Sequence, residues 1–177
     1  MKDINNGAKR LGTTLIETMV VLSIMSIMCH LVLFNYQPLL INIRLDNHIA
    51  KVNRAIGLSR LSAVSYGANV TFCALKNNQC HSDNWHKELT VFTDTNKVGK
   101  FDGKDKVLFY IEPTHSEDML TYPRPFITFR YNGTPMGFHN GTFIYCPKYK
   151  QASHKGLAIS ISYTGRTKIK NTSKCQE

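Results

Sequence analysis

The sequence predicts an α+β chain, one long N-terminal helix followed by an antiparallel β-sheet, and three features carry that prediction. Residues 11–34, LGTTLIETMVVLSIMSIMCHLVLF, are a nearly uncharged apolar run. Residues 41–63 repeat apolar side chains at three- and four-residue steps, and after Gly67 the texture changes to short β-rich runs divided by turn residues.

The first helix half is read from the run 13–36, whose only chargeable side chains are Glu17 and His30. As a helix it would extend about 36 Å at about 1.5 Å per residue, enough to cross a bilayer once. Residues 1–12, MKDINNGAKRLG, place Lys2, Lys9 and Arg10 against Asp3 ahead of it, the charge bias of a segment kept in the cytoplasm. The segment reads as a leader, yet the residues after the apolar run offer no small-residue cleavage site of the ordinary secretory kind. A carboxylate deep in an apolar helix costs about 3 kcal/mol unless it finds a partner. Cleavage between Gly12 and Thr13 would create one: the new α-amine lies one helical turn from Glu17, and the amine of a neighbouring subunit could meet this acid when helices pack side by side.

Beyond Pro38 the helix is expected to continue to residue 66 as an amphipathic rod. Ile41, Leu45, Ile49, Val52, Ile56 and Ala63 share one face, with Arg44, Asp46, Lys51, Arg54 and Arg60 largely on others. Gly67 supplies a left-handed stop. Residues 67–177 then form the β-rich domain, with strand-like runs NVTFCAL, ELTVFTD, KVLFYIE, FITFRYN, TFIYCPK and LAISISY. Asp94-Thr95-Asn96, Asp102-Gly103, Asn132-Gly133 and Asn140-Gly141 read as the turns between them.

Composition bounds the rest. With 177 residues, 42% hydrophobic and 19% charged, the chain is neither disordered throughout nor polytopic, and outside the apolar segment it can bury one modest core. A net charge of +10 favours a polyanion or an anionic surface as partner. Of five cysteines, Cys29 lies in the apolar run and reads as a small apolar residue, leaving Cys73, Cys80, Cys146 and Cys175 downstream. Export would make two disulfides the default, whereas in the cytosol Cys73, Cys80, His81 and His86 would invite zinc. No nucleophile elbow, Walker loop or His-Glu-x-x-His occurs, so the chain is expected to be a binding or structural protein with no cofactor and no metal.

The stretch Gly12-Thr13-Thr14-Leu15-Ile16-Glu17 and its apolar helix resemble the type III signal of type IV pilins and type II secretion pseudopilins: a basic leader ending in Gly, then Phe-Thr-Leu-Ile-Glu. Thr13 stands where the family has Phe. The later segments GLSRLSAVSYGANVTFCALKNNQC, Trp85, LTVFTD, GTFIYC and AISISYTGRTKI are similar to the GspH/FimT group of minor pilins and pseudopilins. The resemblance implies the type IV pilin fold, cleavage after Gly12 by a prepilin peptidase, N-methylation at Thr13, and assembly with other pilins through Glu17. It also implies an inner-membrane anchor with a periplasmic globular domain, later carried into a pilus. On an exported domain Cys73–Cys80 reads as a bridge closing a short loop, with Cys146–Cys175 as the second.

Most of the positive excess lies in the last thirty residues, where Lys148, Lys150, Lys155, Arg166, Lys168, Lys170 and Lys174 face Glu177 alone. Tyr145, Tyr149 and Tyr163 lie among them and are either core residues or faces for stacking bases. Gly165-Arg166-Thr167-Lys168 is similar to the Gly-Arg-x-Arg element of FimT-type pilins, which bind DNA during natural transformation, with Lys168 in place of the second Arg. The resemblance implies sequence-independent DNA binding by Arg166, Lys168, Lys170 and Lys174. The alternative is a FimU/GspH-like structural subunit of a pilus tip or a type II secretion pseudopilus that binds only other pilins; a membrane-anchored enzyme would need a motif the sequence lacks.

Overall fold

The structure is a computed structural model that describes residues 12–34, 36–147 and 156–175. The expected leader up to residue 11 lies outside the described residues, as do Lys148, Tyr149, Lys150, Lys155 and Glu177. The chain separates into two compact units, Met1–Leu40 and Ile41–Glu177. That boundary falls within the second helix, and the apolar stripe from Ile41 onward belongs to the core of the second unit with the strands.

In the first unit, helix α1 spans Leu15–Phe34. It begins with a capping arrangement: Thr14 precedes the helix, and the Glu17 amide donates to its Oγ1 at 3.3 Å. Threonine followed three residues on by glutamate is the sequence of a capping box. Every described side chain from Gly12 to Leu31 is exposed. Among the described residues no helix is long and apolar enough to cross a membrane.

Helix α2 spans Tyr36–Tyr66. Pro38 falls in its first turn, where a backbone N–H would have no helical partner. Within the second unit all six stripe residues are buried, Val52, Ile56 and Ala63 completely. The helix closes in a Schellman motif, with Ala68 N–H donating to the Ala63 carbonyl and Gly67 N–H to that of Val64, Gly67 taking φ 61°.

Ten strands follow. They are β1 (Val70–Cys73), β2 (Leu75–Lys76), β3 (Gln79–Cys80), β4 (Leu89–Thr93), β5 (Val107–Ile111), β6 (Asp118–Thr121), β7 (Ile127–Phe129), β8 (Gly141–Pro147), β9 (Gly156–Ile161) and β10 (Thr167–Thr172). They pair in antiparallel fashion as two four-stranded sheets, β5-β4-β1-β7 and β10-β9-β8-β6, with β2 and β3 as a separate ribbon. The expected Asn140-Gly141 hairpin is instead a passage from β7 in one sheet to β8 in the other. Asn132-Gly133 does close a tight turn, with Gly133 N–H donating to the Arg130 carbonyl at 2.7 Å.

Aromatic packing joins the two sheets. Trp85 stands edge-on to Phe72 of β1, Phe143 of β8 and Tyr122, with ring centroids 5.6, 5.0 and 5.4 Å away, and its Nε1–H donates to the Arg124 carbonyl at 2.8 Å. Such contacts add to the area term about 0.5–1.5 kcal/mol per pair. A hydroxyl chain links β7 and β1 to the residue just after β4, running from Thr128 through Thr71 to Asp94, which also accepts from Gly99 N–H. Burial raises the carboxyl of Asp94 above the usual range.

Helix α2 is locked to the second sheet by a charged pair. Arg44 donates two parallel bonds of 2.8 Å to Asp118 on β6, and the Tyr145 hydroxyl of β8 donates a third to the same carboxylate, also at 2.8 Å. Burial, then the bond to Asp118, pushes the Tyr145 phenol far up. His48 packs on the Tyr145 ring at 5.0 Å, and burial with the nearby Lys51 charge lowers its pKa.

Candidate functional site

The basic residues singled out in the sequence converge on one margin of the second sheet. The segment GRTKIKNTSK is no loose tail: residues 167–172 form β10, paired along its whole length with β9 from Thr167↔Ile161 to Thr172↔Gly156. As the end of the order β10-β9-β8-β6 it is an edge strand. Strand side chains alternate faces, so Lys168 and Lys170 share one face, opposite Ser160 and Ala158, while Ile169 shares the other with Ile159. Lys168 and Lys170 are about 6.8 Å apart along the strand. Arg166 ends the turn immediately before it, where Ser162 N–H donates to the Arg166 carbonyl and Arg166 N–H to Ser162 Oγ. Arg166, Lys168, Lys170 and Lys174 are all exposed, and none joins an ion pair among the described residues.

Two disulfides frame the domain. Cys73 is joined to Cys80, and Cys146 on β8 to Cys175 just past β10, with Cα atoms 5.6 and 5.5 Å apart. The second clamps the end of the basic strand against β8. Cys29 is a free, exposed cysteine.

The two described tyrosines near the bases differ sharply. Tyr145 is fully buried, opposite Leu120 and Leu157 with its hydroxyl on Asp118, so the stacking role left open for it is closed. Tyr163, on the turn before Arg166, is 67% exposed.

A wider charge asymmetry escaped the count over the last thirty residues. Between Asp118 and Glu177 the sequence has no Asp or Glu at all, and α2 has none after Asp46. The turns of β7 and β10 and the C-terminal half of α2 are therefore acid-free. The signal was legible as an absence.

In the first unit Gly12 and Thr13 precede α1 in non-helical, exposed backbone. Glu17 is exposed in its first turn, and among the described residues its carboxylate has no hydrogen bond or ion pair. Among the described residues no group of three or more His, Cys, Asp or Glu side chains could hold a metal ion. His139 accepts the Thr128 amide at Nδ1, 3.1 Å away, and burial followed by the Arg124 charge lowers its pKa.

Comparison with known proteins places this geometry. The family model described as type II transport protein GspH matches residues 48–165. Among solved structures, the type IV minor pilin FimU of Pseudomonas aeruginosa PAO1 superposes with a TM-score of 0.60 at 22% identity, covering 76% of this chain and 96% of that one. A second crystal form of FimU gives 0.57 at 23%, covering 74% and 99%. The minor pseudopilin EpsH of the Vibrio cholerae type 2 secretion system gives 0.51 at 15%, covering 72% and 97%. A comparison with curated proteins found no significant match. The long helix packed on antiparallel sheets is thus the type IV pilin fold, and the chain belongs to the GspH family of type II transport proteins.

Proposed function

We propose that this chain is a minor subunit of a type IV pilus that binds DNA without reading its sequence, using Arg166, Lys168, Lys170 and Lys174. The observation that carries the reading is the β10 margin: four exposed cations, two of them on one face of an edge strand, with no acid in residues 119–176 and the strand end held by Cys146–Cys175. Fixed cations lose little freedom on binding, and contacts to phosphate carry no base information. Lysine supplies the point charge phosphate needs without the bidentate fork of arginine.

If about four phosphates are neutralised, duplex affinity should fall on the order of 100-fold between about 50 and 200 mM salt. Gel-shift titration of the full-length chain in detergent at several ionic strengths measures this. Arg166→Glu with Lys168→Glu should abolish binding while the unfolding midpoint stays put, since both side chains are exposed. Salt-independent binding, or unchanged affinity in the double variant, removes these residues from the site.

Assembly belongs to the N-terminal helix. An apolar helix exposed on every described side needs lipid or other helices around it, and an inner-membrane anchor that later packs against other pilins provides both in turn. A prepilin peptidase would cut the exposed Gly12–Thr13 bond, and the α-amine at Thr13, methylated or not, would face Glu17 of a neighbour. Intact mass of the native protein should correspond to a chain starting at Thr13; a chain still starting at Met1 refutes this processing.

A second reading, a structural subunit of a pilus tip or of a type II secretion pseudopilus that contacts only other pilins, is favoured by the nature of the matched structures, FimU and EpsH. It predicts negligible DNA affinity at any salt concentration.

A further inference from the structure

We infer that the end of the domain where two turns meet over Arg60 is a platform for an unpaired nucleic-acid strand, with Tyr131 and Tyr163 stacking on bases and Arg60 and Arg130 holding phosphates. This rests on the polyanion-binding reading above and names the form of nucleic acid that the site selects.

The turns are Arg130–Thr134, after β7, and Ser162–Arg166, before β10. Each is closed by its own backbone bonds, Gly133 N–H to the Arg130 carbonyl at 2.7 Å and Gly165 N–H to the Ser162 carbonyl at 2.9 Å. They belong to different sheets, yet they touch. A Cβ on Gly165 would lie 3.1 Å from the Gly133 carbonyl oxygen, 3.4 Å from Pro135 and 3.5 Å from Arg60 Cδ. One on Gly133 would lie 3.2 Å from Arg60 Nε. The Arg60 side chain, rising from α2, therefore runs beneath both turns. Both glycines also take positive φ, 77° and 75°, so the close approach of the two turns depends on residues without side chains.

Each turn presents one aromatic ring to solvent. Tyr131 is 65% exposed and Tyr163 is 67% exposed, as open as Tyr66 and Tyr110 elsewhere on the domain but, unlike those two, on turns that meet each other over an arginine. Arg130 and Arg166 flank them and are exposed. Arg60, Arg130 and Arg166 join no ion pair among the described residues, and no acid lies anywhere in residues 47–66 or 119–176. Two open rings among unneutralised guanidinium groups suit a ligand that offers both flat apolar faces and negative charge. Duplex DNA offers the charge alone, because its base faces are stacked on one another. An unpaired strand offers both, and stacking of a base on an aromatic side chain does not depend on which base it is. The lysines of β10 continue the cationic track from Arg166 and would serve either form.

The test is fluorescence anisotropy of the full-length chain in detergent with a labelled oligothymidine strand and with a labelled duplex of equal length. The wild type should prefer the single strand. Tyr131→Ala with Tyr163→Ala should weaken the strand at least about fivefold and leave the duplex within about twofold, since stacking is lost while charge is kept. Tyr131→Phe with Tyr163→Phe should restore the strand affinity, because the ring and not the hydroxyl does the stacking. Arg60→Ala should weaken both probes. If the double alanine variant leaves strand affinity unchanged, or weakens both probes equally, this inference is overturned while the β10 site stands. If the wild type binds neither probe, the underlying DNA reading fails and this one with it.

Discussion

Asp118→Ala is expected to lower the unfolding free energy by about 3–5 kcal/mol, the cost of leaving a buried charge system without one partner. The side chain of Asp118 is completely buried, whereas that of Arg44 is 29% exposed. Removing the carboxylate strands the Arg44 guanidinium against the sheet and the Tyr145 hydroxyl in the core, since among the described residues both donate only to it. The side-chain tie among α2, β6 and β8 is lost at once, while the backbone pairing of β6 with β8 remains. Asp118→Asn keeps the shape and one acceptor, so its loss should be smaller but still plain. The comparison that isolates burial is Lys51–Glu112, a 2.9 Å pair with both side chains exposed, whose removal by Glu112→Ala should leave the midpoint unmoved. Urea titration followed by fluorescence of the single tryptophan, Trp85, reads all three variants. A loss below about 1 kcal/mol for Asp118→Ala would mean the pair does not hold the helix to the sheet.

Cys146→Ser with Cys175→Ser is expected to cost about 3–4 kcal/mol, from the closure entropy of a loop of this length. The sequence separation is 29 residues, and β9 and β10 lie inside it. The register with β9 is unaffected by the substitution, so the basic strand should still form at low temperature but melt earlier. DNA affinity should decline less than on charge reversal, because every cation remains. A Cβ on Gly156 would collide with the Cys175 sulfur and approach the Tyr145 carbonyl to 2.8 Å, so Gly156→Ala should act on the same bridge. Titration of free thiols distinguishes the cases: Gly156→Ala should expose reactive thiol beyond that of Cys29. A melting temperature unchanged in the double serine variant would show that β9 alone secures the strand.

The parts of the fold that the sequence disclosed are those with a single strong period. The stripe from Ile41 to Ala63 follows the helical repeat and is buried as that repeat requires. The six β-rich runs each contain a strand of the structure. What stayed hidden depends on partners remote in sequence. β6 reads Asp-Met-Leu-Thr, which no local rule marks as a strand; its aspartate is tolerable inside only because Arg44, 74 residues earlier, meets it. β10 reads Thr-Lys-Ile-Lys-Asn-Thr and, lying at an edge, buries no full face that could show as alternation. Tyr145 and Tyr163 look alike in sequence, but register puts the first between Leu120 and Leu157 and leaves the second on a turn. The division into two sheets is likewise a matter of which strand finds which, and periodicity is silent on that. At the site, the cations were legible from their density; Arg60, Arg130 and Tyr131 were not, because only the meeting of two glycine turns brings them beside the Arg166 segment.

The position of β10 gives its lysines a second duty. An outermost strand leaves a row of backbone donors and acceptors open to any extended peptide, and charged side chains are one of the common guards against such recruitment. Lys168 and Lys170 stand on that border of the sheet with Ile169, 42% exposed, between them. Neutralising both would therefore do more than weaken a polyanion contact: it would unmask a sticky margin, and one copy could become a seed for strand-by-strand growth. Charge reversal, which keeps the guard while inverting its sign, is for that reason the cleaner way to interrogate this edge.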